Sequence, residues 1–281
     1  METITNLLQT KIPIGPAVDA AVDFLTANFR TFFRQVSSIV DSGLSSFEGV
    51  LMAIPPVALM AILALIAYFI VNKGTAIFTF VGMYLIYNLG LWEPTMTTLA
   101  MVLTATFISI AIGLPIGILS AKNDTANKFI MPLMDLMQTM PAFVYLIPAV
   151  TFFQLGKVPG VFATVIFSIP PAIRLTGLGI RQVPQELTEA ADAFGSTGFQ
   201  KLYKVQLPLA IPTIMAGINQ TIMLSLSMVV ISAMIGAGGL GREVWHGIQR
   251  LQVGSAFEAG LAVVILAMIL DRITQNIAKK K

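Results

Sequence analysis

The chain has no cysteine, a single histidine (His246), and charge on only 11% of its 281 residues. The missing thiols exclude disulfides, thiolate metal sites and cysteine nucleophiles. One imidazole is too few for a histidine-ligated metal centre. Soluble domains carry roughly 25% charged residues, so this chain lacks the groups to cover a water-facing surface. The N-terminus has neither the basic stretch nor the apolar core of a cleaved signal peptide. No G-x-x-x-x-G-K-[ST] run occurs: Gly156-Lys157 is followed by Val158. The chain therefore has no phosphate-cradling loop of its own. Its net charge of +3 comes from scattered basic residues and points to no nucleic acid.

What is present is apolar: 56% hydrophobic residues and a mean hydropathy of +0.83. Seven apolar stretches approach the length needed to cross a hydrocarbon layer of ~30 Å. They lie near 54–71, 75–92, 96–120, 129–154, 160–180, 208–236 and 256–275. The reading is an all-α polytopic membrane protein with about seven transmembrane helices. Asn72-Lys73-Gly74 joins the first two stretches as a tight hairpin. Prolines 115, 132, 141, 148, 170, 171 and 212 fall inside apolar segments. Each removes a backbone donor and bends or breaks its helix, and broken helices are common in transport proteins.

Basic residues set the orientation. With the loop after residue 180 inside, the inner side collects Lys73, Lys122, Lys128, Arg174, Arg181, Lys201, Lys204, Arg272, Lys279, Lys280 and Lys281. The outer side has Lys11, Arg30, Arg34, Lys157, Arg242 and Arg250, diluted by acidic neighbours. The N-terminus is then outside and the C-terminus inside. This divides the chain into an extracytoplasmic segment, 1–50, and a transmembrane domain, 51–281. Within 16–40, Val18, Val22, Leu25, Phe29, Phe32, Val36 and Ile39 recur at helical spacing, with Asp19, Asp23, Thr26, Arg30, Arg34 and Ser37 opposite. Such an amphipathic helix lies on the outer membrane surface or against the spans. Bundle packing and a partner- or lipid-directed role stand equal.

Residues 182–207 form a polar island between two spans. Pro184 opens a first short helix that continues from Gln185 to Phe194, and Gly195 sits where a C-cap needs positive φ. Ser196 is placed to cap a second short helix carrying Phe199, Leu202, Tyr203 and Val205, and Leu207-Pro208 starts the next span. Ala190 and Ala191 suggest a flat face that another protein can approach. A mere connection needs only a handful of residues.

The pattern Glu189-Ala190-Ala191, Gly195, then Val205-Gln206-Leu207-Pro208 resembles the signature loop of ATP-binding-cassette importer permeases, with Val205 where the family usually has Ile. The resemblance covers most of residues 95–270. Asp135 to Pro148, Ile169 to Leu175, Gly217 to Thr221 and Leu226 to Val230 are similar to permeases for glycine betaine and proline betaine. The run Ile235 to Gly241 is also close to methionine permeases. The resemblance implies the MetI-like fold of type I importers. It makes Glu189, Ala190, Ala191, Phe194, Gly195, Leu207 and Pro208 the residues coupled to an ATPase. It further implies a homodimer, two ATPase subunits that use ATP and Mg, an extracytoplasmic substrate-binding protein, and a bacterial or archaeal cytoplasmic membrane. The chain itself is expected to bind no cofactor and to be no enzyme. Carnitine, proline, choline or methionine remain alternative solutes, and an ion-coupled carrier a more distant alternative.

Gly236, Gly238, Gly239 and Gly241 follow a span rather than a strand, which suits close backbone packing rather than dinucleotide binding. Asp135, Arg174, Glu258 and Asp271 fall within or at the edges of spans, where interface placement or local pairing accounts for them. Asn219, Gln220, Thr221, Ser225, Ser227 and Met228 follow the polar loop. Asn219, Gln220, Ser225, Ser227 and Met228 are candidates to line a translocation path, with interhelical hydrogen bonding as the equal alternative. Trp245 and His246 read as outer-interface residues.

Overall fold

The computed structural model describes residues 14–279, and every regular element among them is helical. Lys11, Lys280 and Lys281, with the rest of 1–13, lie outside the described residues.

The amphipathic stretch forms two helices, α1 (Ile14–Asn28) and α2 (Arg30–Ala53), with a bend at Phe29. The second runs past residue 40 because Leu44, Glu48 and Leu51 continue its buried face. Pro55-Pro56 stops it. Ile54 is extended, as residues before proline tend to be, and α3 leaves at 100° to α2. The expected hairpin is α3 (Pro56–Ile70) and α4 (Lys73–Asn88). Its turn is closed by Asn72, whose side chain accepts from the Thr75 N–H at 2.8 Å, an N-cap bond. The arms have 15 and 16 residues. At ~1.5 Å per residue that is about 22–24 Å, short of a full ~30 Å crossing.

Four helical stretches are individually long and apolar enough to cross a membrane: Trp92–Lys122, Lys157–Arg181, Gly198–Ile235 and Val253–Ile277. The number reaches six when two bent helix pairs are each taken as one span. The first pair is α2 with α3. The second follows α5 (Trp92–Lys122) and replaces the continuous stretch expected at 129–154. It comprises α6 (Asp124–Thr139), a 3-10 turn at Ala142–Tyr145 and α7 (Leu146–Phe153), bent by 109°. The break sits at Pro141, with Met140 extended before it. Pro170 and Pro171 act differently: both are buried inside α8 (Lys157–Arg181), which stays one helix.

α8 is the core helix. Of its apolar window 67% is buried, against 28–44% in the other three long spans. Small residues let its neighbours approach, as in many membrane bundles. α5 runs parallel to it, with Gly113 on Ala172 and Gly117 on Thr176. A Cβ at Gly117 would sit 2.6 Å from the Thr176 Cβ and 2.7 Å from the Ile173 carbonyl oxygen. α11 (Leu207–Ser232) runs antiparallel on the other side, with Gly217 against Leu175 and the Pro171 carbonyl.

At the opposite end from the polar island, the glycine run leads into α12 (Gly239–Gln249). There the Leu240 N–H donates to Thr98 Oγ1 at 2.8 Å, and a Cβ on Gly239 would lie 2.5 Å from that oxygen. Close backbone packing is what the run provides. Nearby, Glu48 of α2 accepts from Thr97 Oγ1 and pairs with Lys157 Nζ, both at 2.6 Å. α13 (Val253–Lys279) closes the bundle against α11, α12 and the hairpin.

Candidate coupling site

The polar island folds locally, and its sequence explains each step. α9 (Gln185–Ala193) starts after Pro184, with Glu186 in its first turn, where negative charge suits the helix dipole. It ends on Gly195 at φ +77°. The Gly195 N–H donates to Asp192 O at 2.9 Å and the Ser196 N–H to Ala191 O at 3.0 Å. That bond pair is a Schellman cap, which needs a left-handed residue at Gly195. The next helix is capped by Thr197, not Ser196. Thr197 Oγ1 accepts from the Gln200 N–H, and Gln200 Oε1 accepts from the Thr197 N–H at 2.9 Å. This T-x-x-Q box is visible in the sequence once sought.

α10 (Gly198–Lys201) is not separate from the span after it. A π-helical turn, Leu202–Gln206, carries it directly into α11, with the Leu207 N–H reaching Leu202 O. The wider turn lies just before Pro208, whose ring would otherwise press on the carbonyl four residues back. Lys201 Nζ pairs with Asp192 at 2.7 Å and binds α10 to α9. Arg181 ties the end of α8 to Asp124 at 2.8 Å and to the Ser120 carbonyl at 2.7 Å. Neither clamp follows from local sequence pattern.

The island presents an acidic and aromatic outer face. Phe194 is 91% exposed, Phe199 72% and Tyr203 66%. The last two rings stack at 6.0 Å and 12°. Glu189 is exposed and, among the described residues, bonds only to Gln185, whose Nε2 donates at 2.7 Å. Two expectations change. Ala190 is exposed but Ala191 is buried, so the alanines do not form one flat outward face. Leu202 is buried with Ile180, Ala210 and Ile214 and offers no contact surface. Leu207 is half-buried and Pro208 exposed.

The path candidates of α11 divide. Asn219 Nδ2 donates to Asp271 Oδ1 of α13 at 2.9 Å, and Thr274 donates to Asn219 Oδ1. Asn219 therefore joins two helices. Ser225 and Met228 are fully buried, Met228 among Tyr145, Leu146, Ala149 and Ala163. Gln220 and Ser227 alone of the five are exposed. Local pairing accounts for Arg174, which pairs with Asp135, and for Asp271; Glu258 is exposed. The aromatic side chains that sequence pattern left scattered gather elsewhere: Phe33 stacks on Phe152 at 4.6 Å, and Phe153 meets Phe162 at 4.5 Å. Phe33 also meets Phe153 edge-on at 5.7 Å. Among the described residues no His, Asp or Glu cluster is arranged to hold a metal ion.

Residues 113–281 match the family described as binding-protein-dependent transport system inner membrane component. Over 271 residues the chain is 52% identical to the glycine betaine transport system permease protein of Bacillus subtilis (strain 168), covering 96% of each. It is 50% identical to the glycine betaine/proline betaine transport system permease protein of Escherichia coli (strain K12), covering 96% of this chain and 77% of that one. Its fold is similar to a chain of the MetNI methionine ABC transporter in an inward-facing conformation. That match has a TM-score of 0.61 and 23% identity, over 70% of this chain and 96% of that one. The helical architecture, the capped loop before α11 and these relatives agree: the chain belongs to the binding-protein-dependent transport system inner membrane components, the permease subunits of ATP-binding-cassette importers.

Proposed function

We propose that this permease carries glycine betaine or a related compatible solute, and that 182–207 is where ATP-driven motion enters it. Two copies form the pathway. Two ATPase subunits use ATP and Mg and receive α9 and α10 in a groove, and an extracytoplasmic binding protein delivers the solute. The bias of Lys and Arg supports the N-terminus outside and the C-terminus and coupling loop in the cytoplasm of a bacterial or archaeal cell. The solute class rests on the relatives, which are named for glycine betaine and proline betaine transport. Selectivity is assigned mainly to the binding protein, since no sequence pattern in this chain marks an aromatic cage for a quaternary ammonium.

The observation that carries the coupling role is the outer face of the island. Phe194, Phe199 and Tyr203 stand exposed on a loop whose backbone is fixed by a Schellman cap and a capping box. Exposed rings on a rigid support are what a docking surface provides. Among the described residues Glu189 has no hydrogen bond or ion pair outside its own helix, so changing it perturbs docking rather than folding. Glu189→Lys is expected to leave membrane insertion and ATPase binding of nucleotide intact while lowering solute taken up per ATP hydrolysed in proteoliposomes. Wild-type coupling in that variant would remove the docking role.

A further inference from the structure

We propose that the Arg174–Asp135 ion pair, on the open flank shared by α6, α8 and α11, is a transit site for the solute. It takes a zwitterion, with the carboxylate on Arg174 and the ammonium beside Asp135. This site deepens the betaine reading above and rests on it. The pair joins α8 to α6 where their contact is otherwise apolar, with Met134 buried against Ile169 and Ile173. Its depth follows from the helix rise. Arg181 and Asp124 pair at the inner ends of the same two helices. At ~1.5 Å per residue, Arg174 stands about 10 Å and Asp135 about 16 Å along its helix from that clamp. The Asp135 side chain is nonetheless 65% exposed. A short carboxylate at that depth is costly against acyl chains, and such residues face a water-filled cavity or a partner charge.

Two further observations put this flank on the way through the membrane. Leu175 and the Pro171 carbonyl of α8 lie against Gly217 of α11. Arg174 is turned from that contact line by roughly 60–100°, and Gln220 by about 60° in the same sense. In an antiparallel pair equal turns fall on the same flank, so the guanidinium and the exposed Gln220 amide share one side. The broken span then covers only the outer half of it. Tyr145 and Leu146, just past Pro141, cluster with Ala163 and Met228, about 16 Å outward of Arg174 and about 12 Å outward of Gln220. Phe167, two turns outward of Arg174, meets Tyr145 edge-on at 5.9 Å and closes the flank above the pair. The inner half is left open. Among the described residues the buried Arg174 Nε has no hydrogen-bond partner, so the guanidinium keeps a donor while it holds Asp135. A carboxylate can take such a planar edge in two bonds, and Asp135 then meets the cationic end. The pair is neutral before a zwitterion arrives and neutral with it bound, whereas a pure cation or anion leaves a net charge. This match is to charge alone and leaves the choice among betaines to the binding protein.

The chain has no cysteine, so a single Leu178→Cys, one turn inward of Arg174 at a side chain 45% exposed, can report on the flank. The permease–ATPase complex in lipid nanodiscs, without binding protein, is labelled with a maleimide while glycine betaine or choline is titrated. Choline has the same cationic head and no carboxylate. Glycine betaine is expected to slow the labelling. Arg174→Gln should raise the betaine concentration required by about tenfold without raising that for choline, because Asp135 then stands alone. Arg174→Lys should recover part of the betaine effect, and Asp135→Asn should weaken both solutes. Melting profiles separate a lost site from a lost fold, and the lysine and asparagine variants carry the test if the glutamine variant does not fold. Labelling indifferent to betaine, in a reporter protein that imports betaine with its binding protein, would overturn the site and leave the solute reading standing. Absence of betaine import by the wild type would remove the solute reading and the site with it. Equal weakening for betaine and choline in Arg174→Gln would reduce the pair to a tie between α6 and α8. A cysteine at 178 that never labels and cross-links to its counterpart would make the flank a seam between two copies, and would equally overturn the proposal.

Discussion

Substitution of Gly195 separates conformational strain from steric bulk at the coupling loop. Gly195 sits at φ +77°, and a Cβ built there meets nothing within 4 Å. Space is therefore not what demands glycine; the left-handed backbone is. An ordinary L-residue in that conformation costs about 1–2 kcal/mol, asparagine less, and a β-branched residue more. A cost of 1–2 kcal/mol shifts a two-state population by a factor of roughly 5–30. The chain relieves it by opening the last turn of α9, which releases the bonds from Gly195 to Asp192 and from Ser196 to Ala191. Phe194 and the Asp192–Lys201 clamp move with that turn. In proteoliposomes containing permease, ATPase and binding protein, solute uptake per ATP is expected to fall in the order Gly, Asn, Ala, Val. Limited proteolysis of the loop should quicken in the same order, while membrane insertion stays constant. A valine variant with wild-type uptake per ATP and wild-type protease resistance would refute the argument. An asparagine variant no better than alanine would show that φ is not the cause.

Three further substitutions test the clamp of the loop and the packing of the helices. Asp192→Lys should loosen the loop and lower coupling, and Lys201→Asp added to it should restore part of the loss. The pair is partly exposed, so the stability change stays at about 0.2–1 kcal/mol and uptake per ATP is the informative readout. Gly117→Ala should destabilise the purified protein by about 1–3 kcal/mol, because its Cβ meets Thr176 and the Ile173 carbonyl at 2.6 and 2.7 Å. Gly43→Ala, in α2 with nothing within 4 Å, should stabilise by about 0.5–1 kcal/mol. Melting temperatures of opposite sign check both.

The features open to reading from sequence were the local ones. The helix of 185–193 and its glycine stop each depend on residues within one or two turns, and the hairpin at Asn72 is of the same kind. The stretch expected to be continuous at 129–154 is instead broken at Pro141. What stayed hidden joins distant positions: Glu48 with Lys157, Arg181 with Asp124, Phe33 with Phe152. No pattern encodes a separation of 109 residues, as between Glu48 and Lys157. The apolar helices hide their contacts for a second reason. A helix that is apolar all round has no polar stripe to mark its outer side, so the five polar or soft residues proposed in α11 looked alike. In the structure three face neighbours and two do not. Even inside the well-read loop, the clamp from Asp192 to Lys201 and the burial of Ala191 depend on how α9 and α10 pack, not on either helix alone.

Gln220 and Ser227 provide the sharpest check on the pathway. They are seven residues apart and so lie on one face of α11, and both are exposed. The Ser227 hydroxyl turns back to the Met223 carbonyl at 3.1 Å, but the Gln220 amide has no partner among the described residues. An unsatisfied amide against lipid costs about 1–3 kcal/mol, so this face is expected to meet water or a second copy rather than acyl chains. Asn219, one residue away, points to Asp271 and Thr274 instead. Gln220→Leu and Ser227→Leu should therefore leave melting unchanged or slightly raised while solute uptake falls severalfold. Asn219→Leu should lower stability by about 1–3 kcal/mol, because Asp271 loses a donor. The absence of cysteine makes a direct assay available. Single cysteines at 220 and 227 should react with a membrane-impermeant maleimide in a manner that changes with ATP, whereas one at 228, buried beside Tyr145, should not. Labelling at 228 equal to that at 220, or full transport in both leucine variants, would take this face of α11 out of the pathway.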